Sequence, residues 1–184
     1  MKRTYSGMPI FDKNIISFKE ASFDEDNGEY MTESKIEVIN FDKVKEMYVR
    51  EAKFKSTNTP ASSDALYIGR DGEYTLVEFK NGLIKSTTQY EVHYKIYDSL
   101  LMLGVFINQN IDFHRENVRF ILVYNEGKNR REASRSKAKI GGHIANKAGK
   151  EIIEFDLERF QKYCFKQVST YTEQEFQDKF LSKC

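Results

Sequence analysis

The sequence predicts an α/β (α+β) fold in which a mixed central sheet is flanked by helices, and three observations support this. The 184 residues are 40% hydrophobic and 31% charged, which is typical of one soluble globular domain with a real core. The run RFILVY at 119–124 is continuously apolar, as in a strand buried on both faces. Segments with helical spacing also alternate with short β-branched and aromatic runs. We therefore expect a single domain over 1–184.

Composition limits the partners and the compartment. The net charge is only +1, so a nucleic-acid partner would have to be bound by a local basic patch. Cys164 and Cys184 are too few for a disulfide framework and favour a reducing cytoplasm. Residues 1–14 lack the apolar core of a signal peptide, and no run approaches ~20 apolar residues, so we expect no membrane partner.

The stretch SSDALYIGRDGEYTLVEFKNG, residues 62–82, predicts a β-hairpin because two short apolar runs flank an Asp-Gly turn. Asp64 lies at the entrance of the first strand, and Glu78 and Lys80 lie at the exit of the second. Charges at the end of a half-buried strand are costly unless they are paired. We therefore expect the functional site at this end of the hairpin.

The length of the hairpin loop decides which face Asp64 occupies. A two-residue loop would set Asp64 opposite Phe79, on the wrong face for a shared site. A three-residue loop over 70–72, with Gly72 in the left-handed position of a G1 bulge, sets Asp64 opposite Glu78. The functional interpretation requires this bulged hairpin.

Helices are predicted on both sides of the hairpin, and a strand at 35–41 precedes the first. Asp42 is the predicted N-cap of a helix that runs to about residue 55, and its apolar spacing places Glu51 on the inward stripe. An alternative is that Glu51 is partly exposed and paired with a Lys or Arg. The second helix, about 86–103, opens on a predicted capping box at 86–89 and is apolar on two sides, which predicts a well-buried helix.

The remaining segments differ strongly in charge. Residues 20–33 hold six acids and no Lys or Arg, which predicts a solvated loop or hairpin tip. The basic segment, 128–150, holds eight Lys or Arg and one acid. The order predicted for 151–184 is strand, helix, strand, helix, with a capping box at 172–175 opening the last helix.

Asp64, thirteen intervening residues, and then Glu78-Phe79-Lys80 resemble the active-site motif of the PD-(D/E)xK nuclease superfamily. The resemblance covers roughly 42–124 and implies a restriction-endonuclease-like core over about 35–125. Two departures stand out: Pro60 lies four residues before Asp64, and only two strands are obvious between the two helices. The missing strand would be supplied by 35–41 or be very short. Acid-x-Lys also occurs at 33–35, 51–53 and 126–128, but none of these ends an apolar strand whose hairpin partner begins with Asp.

The resemblance implies a Mg²⁺ site, with Mn²⁺ as the alternative ion. Asp64 and Glu78 would be its carboxylate ligands, the backbone carbonyl of Phe79 another, and Glu51 a further ligand if its helix packs inward. Lys80 would orient the attacking water and counter the phosphate charge. The competing interpretation is structural, with Lys80 forming an ordinary edge salt bridge.

Predicted nucleic-acid contacts come from two places. Lys85 and Gln89 lie near the start of the second helix, on the Lys80 side of the site. The basic segment would supply phosphate contacts from Lys128, Arg130, Arg131, Arg135, Lys137 and Lys139. A solvated loop is the equally weighted alternative for this segment.

The sequence therefore predicts a metal-dependent nuclease that hydrolyses phosphodiester bonds of DNA. Two alternatives stay open: a non-catalytic nucleic-acid-binding module on the same fold, and a small protein-interaction protein. An enzyme of 21.6 kDa that cuts both strands would benefit from forming a homodimer, although no surface in the sequence identifies the interface.

Overall fold

The computed structural model describes residues 8–54, 57–130 and 152–184. It is a mixed α/β protein with one six-stranded mixed sheet and a separate two-stranded sheet. The strands are β1 (Ile15–Ser17), β2 (Phe23–Asp24), β3 (Glu29–Tyr30), β4 (Glu37–Asn40), β5 (Ala65–Ile68), β6 (Tyr74–Lys80), β7 (Val118–Tyr124) and β8 (Gln167–Thr172).

The described ranges contain seven α-helical segments and two short 3-10 turns, Leu157–Phe160 and Leu181–Lys183. The helical segments are α1 (Pro9–Asp12), α2 (Phe18–Ala21), α3 (Phe41–Glu51), α4 (Ser86–Ile107), α5 (Ile111–Asn117), α6 (described over 126–130) and α7 (Glu173–Lys179). The predicted mixed α/β class is confirmed. Within the described residues, no helix combines the length and apolar character needed to cross a bilayer.

The strand order in the large sheet is β1-β4-β5-β6-β7-β8. β1 pairs antiparallel with β4, β4 with β5, and β5 with β6. β7 is parallel to β6, and β8 is parallel to β7. A parallel neighbour requires a crossover, which α4 and α5 supply between β6 and β7. The carboxyl ends of β6, β7 and β8 therefore lie at one edge of the sheet, where β5 begins.

Side chains alternate between the two faces of the sheet along each strand. Helices cover both faces, so both are buried. One face packs against α3 and α4, and its core includes Ile39, Val44, Leu66, Leu76, Ile96 and Phe120. The opposite face packs against α2 and α7, and its core includes Phe18, Val38, Val77, Phe79, Ile121 and Phe176. Even-numbered residues of β6, including Glu78, belong to the α4 face.

The predicted three-residue hairpin loop is present between β5 and β6. The Gly69 N–H donates to the Glu73 carbonyl at 2.8 Å, which closes the loop over 70–72. Gly72 adopts φ = +83°, the left-handed conformation that the bulge requires. The hairpin therefore has the register on which the functional interpretation depends.

That register carries through the whole β5–β6 ladder. Ala65 pairs with Val77 at the open end of the hairpin. The next position back along the chain, Asp64, consequently lies opposite Glu78, as predicted. The third antiparallel strand is β4, which lies within the strand predicted at 35–41, pairs with β5 and precedes α3.

Two predicted helix caps are wrong. The N-cap of α3 is Asn40, whose side chain accepts from the Lys43 N–H, so Asp42 lies in the first turn with its carboxylate free for other contacts. α4 begins after Lys85 without a side-chain cap, and the box predicted at 86–89 does not form.

The C-terminal part is partly as predicted. Residues 152–155 are not a strand, and the predicted helix after Asp156 is reduced to the 3-10 turn Leu157–Phe160. Phe155 and Asp156 both adopt positive φ, which interrupts an extended strand and a helix alike. β8 is present, and the Thr172 capping box opens α7 as predicted.

The prediction that α4 is well buried is wrong for one of its sides. Val92, Ile96 and Leu103 are buried against the sheet. The other apolar side of the same helix, which includes Tyr94 and Leu101, is exposed to solvent.

Replacing Gly72 with Ala should lower the free energy of unfolding by about 1–2 kcal/mol, because a Cβ is disfavoured in the left-handed conformation. Urea denaturation measures the change. Gly82→Ala is the matched control, since Gly82 lies outside the positive-φ region and a Cβ there meets no atom within 4 Å. Equal effects of the two substitutions would contradict the importance of the bulge.

Candidate active site

Asp64, Glu78 and Lys80 meet at the edge of the sheet where β5 begins and β6 ends. Glu78 is completely buried (0% exposed) on the α4 face of the sheet. The Lys80 Nζ lies 2.9 Å from Glu78 Oε1. The structure thus brings together the three residues that the sequence selects.

Asp64 is held by the backbone of the opposing strand. The Phe79 N–H donates to Asp64 Oδ2 at 2.7 Å. The carbonyl of Asp64 in turn accepts from the Phe41 N–H at 3.1 Å, at the start of α3. Because the N–H and C=O of a strand residue point to the same side, the Phe79 carbonyl points toward the β5 side of the sheet.

A second lysine, Lys95 of α4, was not predicted from the sequence. Its Nζ lies 2.7 Å from Glu78 Oε1 and 3.1 Å from Asp64 Oδ1, so one ammonium bridges the two carboxylates. A signal was present in the sequence: Lys95 falls between Val92 and Ser99 on the inward side of the helix, where a charge requires a partner.

α4 also fixes the chain that leads into the site. The Ser63 N–H donates to Ser99 Oγ at 2.8 Å, and both residues are fully buried. The neighbouring Ser62 hydroxyl donates to Asp42 Oδ1. The two residues that precede Asp64 are therefore hydrogen-bonded to α4 and to the first turn of α3.

The structure does not bring Glu51 to the site. Glu51 is exposed at the C-terminal end of α3, whereas the first turn of that helix lies beside Asp64. Nine residues separate Glu51 from Asp42, which is about 13 Å along a helix. The α3 carboxylate near Asp64 is Asp42, and the charge of Asp64 helps to raise the pKa of Asp42.

Burial and neighbouring charges shift the pKa values of this cluster. Burial and the charge of Glu78 raise the pKa of Asp64 from 3.8 to about 6, despite the opposing effects of Lys95, the Phe79 N–H and Lys80. Burial also raises the pKa of Asp42. Burial alone would lower the pKa of Lys95, but Glu78 and Asp64 outweigh it and raise that pKa. Lys95 is thus charged throughout the physiological range.

A groove of about 640 Å³ opens onto Asp64 and Lys80. Its charged lining is mainly acidic: Glu20, Asp24, Glu25, Asp26, Asp42, Glu46 and Asp64, against Lys43 and Lys80. Within the acidic stretch 20–33, β2 and β3 form a hairpin, in line with the predicted loop or hairpin tip, while Glu20 belongs to α2. It forms one wall of the groove.

Asparagine side chains attach this wall to the carboxyl edge of the sheet. Asn81, directly after Lys80, donates to Glu29 Oε2 at 3.1 Å and accepts from Asn125 Nδ2 at 2.8 Å. These bonds link the β2–β3 hairpin to the loops that follow β6 and β7. The groove is therefore built onto the same edge as the carboxylate pair.

The predicted nucleic-acid contacts lie outside the groove or outside the described residues. Lys85, Gln89, Lys128 and Arg130 are described, and the groove lining includes none of them. The Lys128 Nζ lies 3.5 Å from Asn81 Oδ1, at the groove's edge. The other four, Arg131, Arg135, Lys137 and Lys139, lie outside the described residues.

Two observations bear on whether these residues could hold a Mg²⁺ ion. Glu78 Oε2 is buried and has no hydrogen-bond partner among the described residues, so one carboxylate oxygen is left for another cation. Mg²⁺ usually keeps several waters and needs one or two carboxylates. Within the described residues no three His, Cys, Asp or Glu side chains form a ready-made metal-binding cluster. Asp64, Glu78 and the Phe79 carbonyl would hold the ion.

No family model, curated protein or solved structure matches this chain.

The raised pKa of Asp64 predicts a pH-dependent stability in the absence of metal. A folded-state pKa above the unfolded value stabilises the fold below about pH 4, and this contribution is lost as the pH rises through about 6. The free energy of unfolding of the wild type, minus that of Asp64→Asn, should fall by no more than about 3 kcal/mol across this window. Urea denaturation in EDTA between pH 4 and 7.5 measures it, and a pH-independent difference would contradict the assignment.

Lys95→Met should destabilise the metal-free protein by about 3 kcal/mol, because it leaves two carboxylates facing each other without their shared cation. Mg²⁺ should then raise the thermal midpoint of Lys95→Met by more than that of the wild type. Lys43→Met is the control, since Lys43 lines the same groove but pairs with Glu46 at an exposed position. Equal Mg²⁺ responses in all three proteins would show that Lys95 does not occupy the cation position.

Proposed function

We propose that this protein is a metal-dependent nuclease of the PD-(D/E)xK superfamily, with a restriction-endonuclease-like core, acting on DNA. The observation that carries the proposal is the buried Glu78 carboxylate, which lies opposite Asp64 and contacts two lysines while its Oε2 has no described partner. Burying a carboxylate oxygen without a hydrogen-bond partner costs free energy, and a salt bridge at the edge of a sheet forms without that cost.

The mechanism assigns a role to each side chain of the cluster. A bound Mg²⁺ would stabilise charge on the phosphoryl oxygens and favour ionisation of a nucleophilic water. Asp64 and Glu78 bind the cation, and the Phe79 N–H holds Asp64 in place for that purpose. Asp42 adds negative charge beside the pair, close to the groove.

The two lysines have different positions relative to the substrate. Lys80 lines the groove, so its ammonium can reach a phosphate and orient the attacking water. Lys95 comes from α4, bridges the two carboxylates and is absent from the groove lining. We assign Lys80 to the chemistry and Lys95 to neutralisation of the empty pair.

The acidic groove makes substrate binding dependent on cations. Seven acids and two lysines line it, so a phosphate backbone would be repelled in the absence of a divalent ion. The basic segment, 128–150, would supply the compensating attraction, and its first residue, Lys128, lies at the groove's edge.

One observation favours a second candidate, a non-catalytic nucleic-acid-binding module. Lys95 already bridges one oxygen of each carboxylate as an ion pair, as it would in a fold that had replaced its metal by an ammonium. In that case the protein would bind DNA without cutting it.

Glu78→Ala and Asp64→Ala should each abolish Mg²⁺ binding and cleavage, whereas Lys80→Ala should lose cleavage and keep most of its Mg²⁺ affinity. Single- and double-stranded DNA and RNA are incubated with Mg²⁺ or Mn²⁺, and metal affinity is measured by titration calorimetry. Thr87→Ala, an exposed change on α4, controls for nonspecific effects of substitution.

Three results would contradict the proposed roles or favour the second candidate. Equal loss of metal in Lys80→Ala would count against the role given to Lys80. Binding of DNA without cleavage in either metal would favour the non-catalytic module. Cleavage that survives in Glu78→Ala would contradict the proposed site.

A further inference from the structure

A cavity of about 420 Å³ lies on the α2–α7 face of the sheet, opposite the face that carries Glu78. Its floor includes one side chain from each of β5, β6, β7 and β8, and these four pair in register across the sheet: Tyr67, Thr75, Arg119 and Gln167. The hairpin loop between β5 and β6 and the end of α7 also line the cavity. None of the described residues lines both this cavity and the acidic groove, so the two are separate.

The floor of this cavity is polar at positions where a covered sheet face is normally apolar. Nearer the carboxyl ends of β6 and β7, the same face carries Val77, Phe79 and Val123 in its core. Thr75 and Ser169, in contrast, line the cavity and are only 3% and 2% exposed. Burying a hydroxyl costs free energy unless it has a hydrogen-bond partner, and departures from the apolar pattern of a core are typical of functional sites.

Arg119 places a positive charge in the middle of this floor. Its Nη2 lies 2.5 Å from Glu73 Oε2, whereas its Nε is buried and has no hydrogen-bond partner among the described residues. Glu73 also pairs with Lys166, so one carboxylate is shared by two cations. A buried donor without a partner is costly, and a guanidinium is well suited to binding a phosphate or carboxylate group. Arg119 therefore has both charge and a donor left for an anion.

The charged side chains around the cavity are mainly basic, in contrast to those of the acidic groove. They are Arg70, Arg119, Lys179 and Lys183, against Asp71 and Glu73. Lys179 also pairs with Glu175, which reduces this excess of positive charge without removing it. Such a lining favours an anion over a metal ion or a basic peptide.

The volume and the aromatic lining indicate which kind of anion fits. Small-molecule sites typically have volumes of roughly 300–1,000 Å³, so the cavity holds more than a bare phosphate ion. Tyr67 and Phe180, whose ring centroids are 5.6 Å apart, give it an apolar wall beside the polar floor. We propose that this cavity binds a small organic phosphate, with the phosphate on Arg119 and the organic part against the aromatic wall. The proposal is independent of the nuclease proposal, because binding is measured in EDTA without metal.

Titration calorimetry in EDTA tests the site with three probes: deoxyadenosine monophosphate, deoxyadenosine and inorganic phosphate. The wild type should bind the monophosphate at least about 10-fold more tightly than either of the other two. Arg119→Gln should raise the dissociation constant of the monophosphate by at least about 10-fold. Arg115→Gln is the matched control, since the two arginine side chains are similarly exposed, at 40% and 37%, and each pairs with one acid. Circular dichroism verifies that each variant is folded.

Two further variants locate the bound monophosphate. Thr75→Val removes a hydroxyl from the floor at similar volume and should weaken binding roughly 2- to 10-fold, without disturbing the pair between Arg119 and Glu73. Lys80→Ala should leave binding unchanged, because Lys80 lines the acidic groove.

Four results would overturn the proposal. The first is a wild type that does not bind the monophosphate at concentrations up to about 5 mM. The second is equally tight binding of deoxyadenosine or of inorganic phosphate, which would show that the phosphate or the organic part is not recognised. The third is an Arg119→Gln variant with wild-type affinity, and the fourth is loss of binding in Lys80→Ala, which would place the ligand in the acidic groove.

Discussion

The buried Glu78 carboxylate is the constraint around which the site is built. A completely buried acid requires compensating cations, and it obtains them from Lys80 on its own strand and Lys95 on α4. The second of these contacts requires α4 to cross the sheet at one position. The parallel strand β7, which α4 and α5 connect to β6, is therefore placed by the same helix that neutralises the acid.

Two further features follow from the same constraint. Asp64 reaches Glu78 because the G1 bulge at Gly72 sets the hairpin register, and a one-residue slip would turn Asp64 to the α2 face. Burial, together with the charge of Glu78, raises the pKa of Asp64 despite the opposing effects of Lys95 and Lys80. Such a cluster is costly in an isolated protein, and a divalent cation would relieve it.

The hairpin and its charged end could be predicted from the sequence because loop length and strand alternation are local rules. Lys95 and Asp42 were missed because their roles depend on how α3 and α4 cross the sheet, which helical spacing does not specify. Glu51 lies on the same side of α3 as Val44, but at the exposed C-terminal end of the helix, whereas the buried residues Phe41 and Val44 lie at its start. The strand predicted to end at Phe155 does not form. Phe155 and Asp156 adopt positive φ angles, which the composition of this stretch does not reveal.

A structure determined from crystals soaked in Mn²⁺ tests the central claim most directly, because the ion is located by its anomalous scattering. The account predicts one Mn²⁺ bound by Asp64, Glu78 and the Phe79 carbonyl, with the Lys95 ammonium displaced from its position between the two carboxylates. Lys95 still bridging Asp64 and Glu78 at saturating Mn²⁺, with no ion beside them, would contradict it.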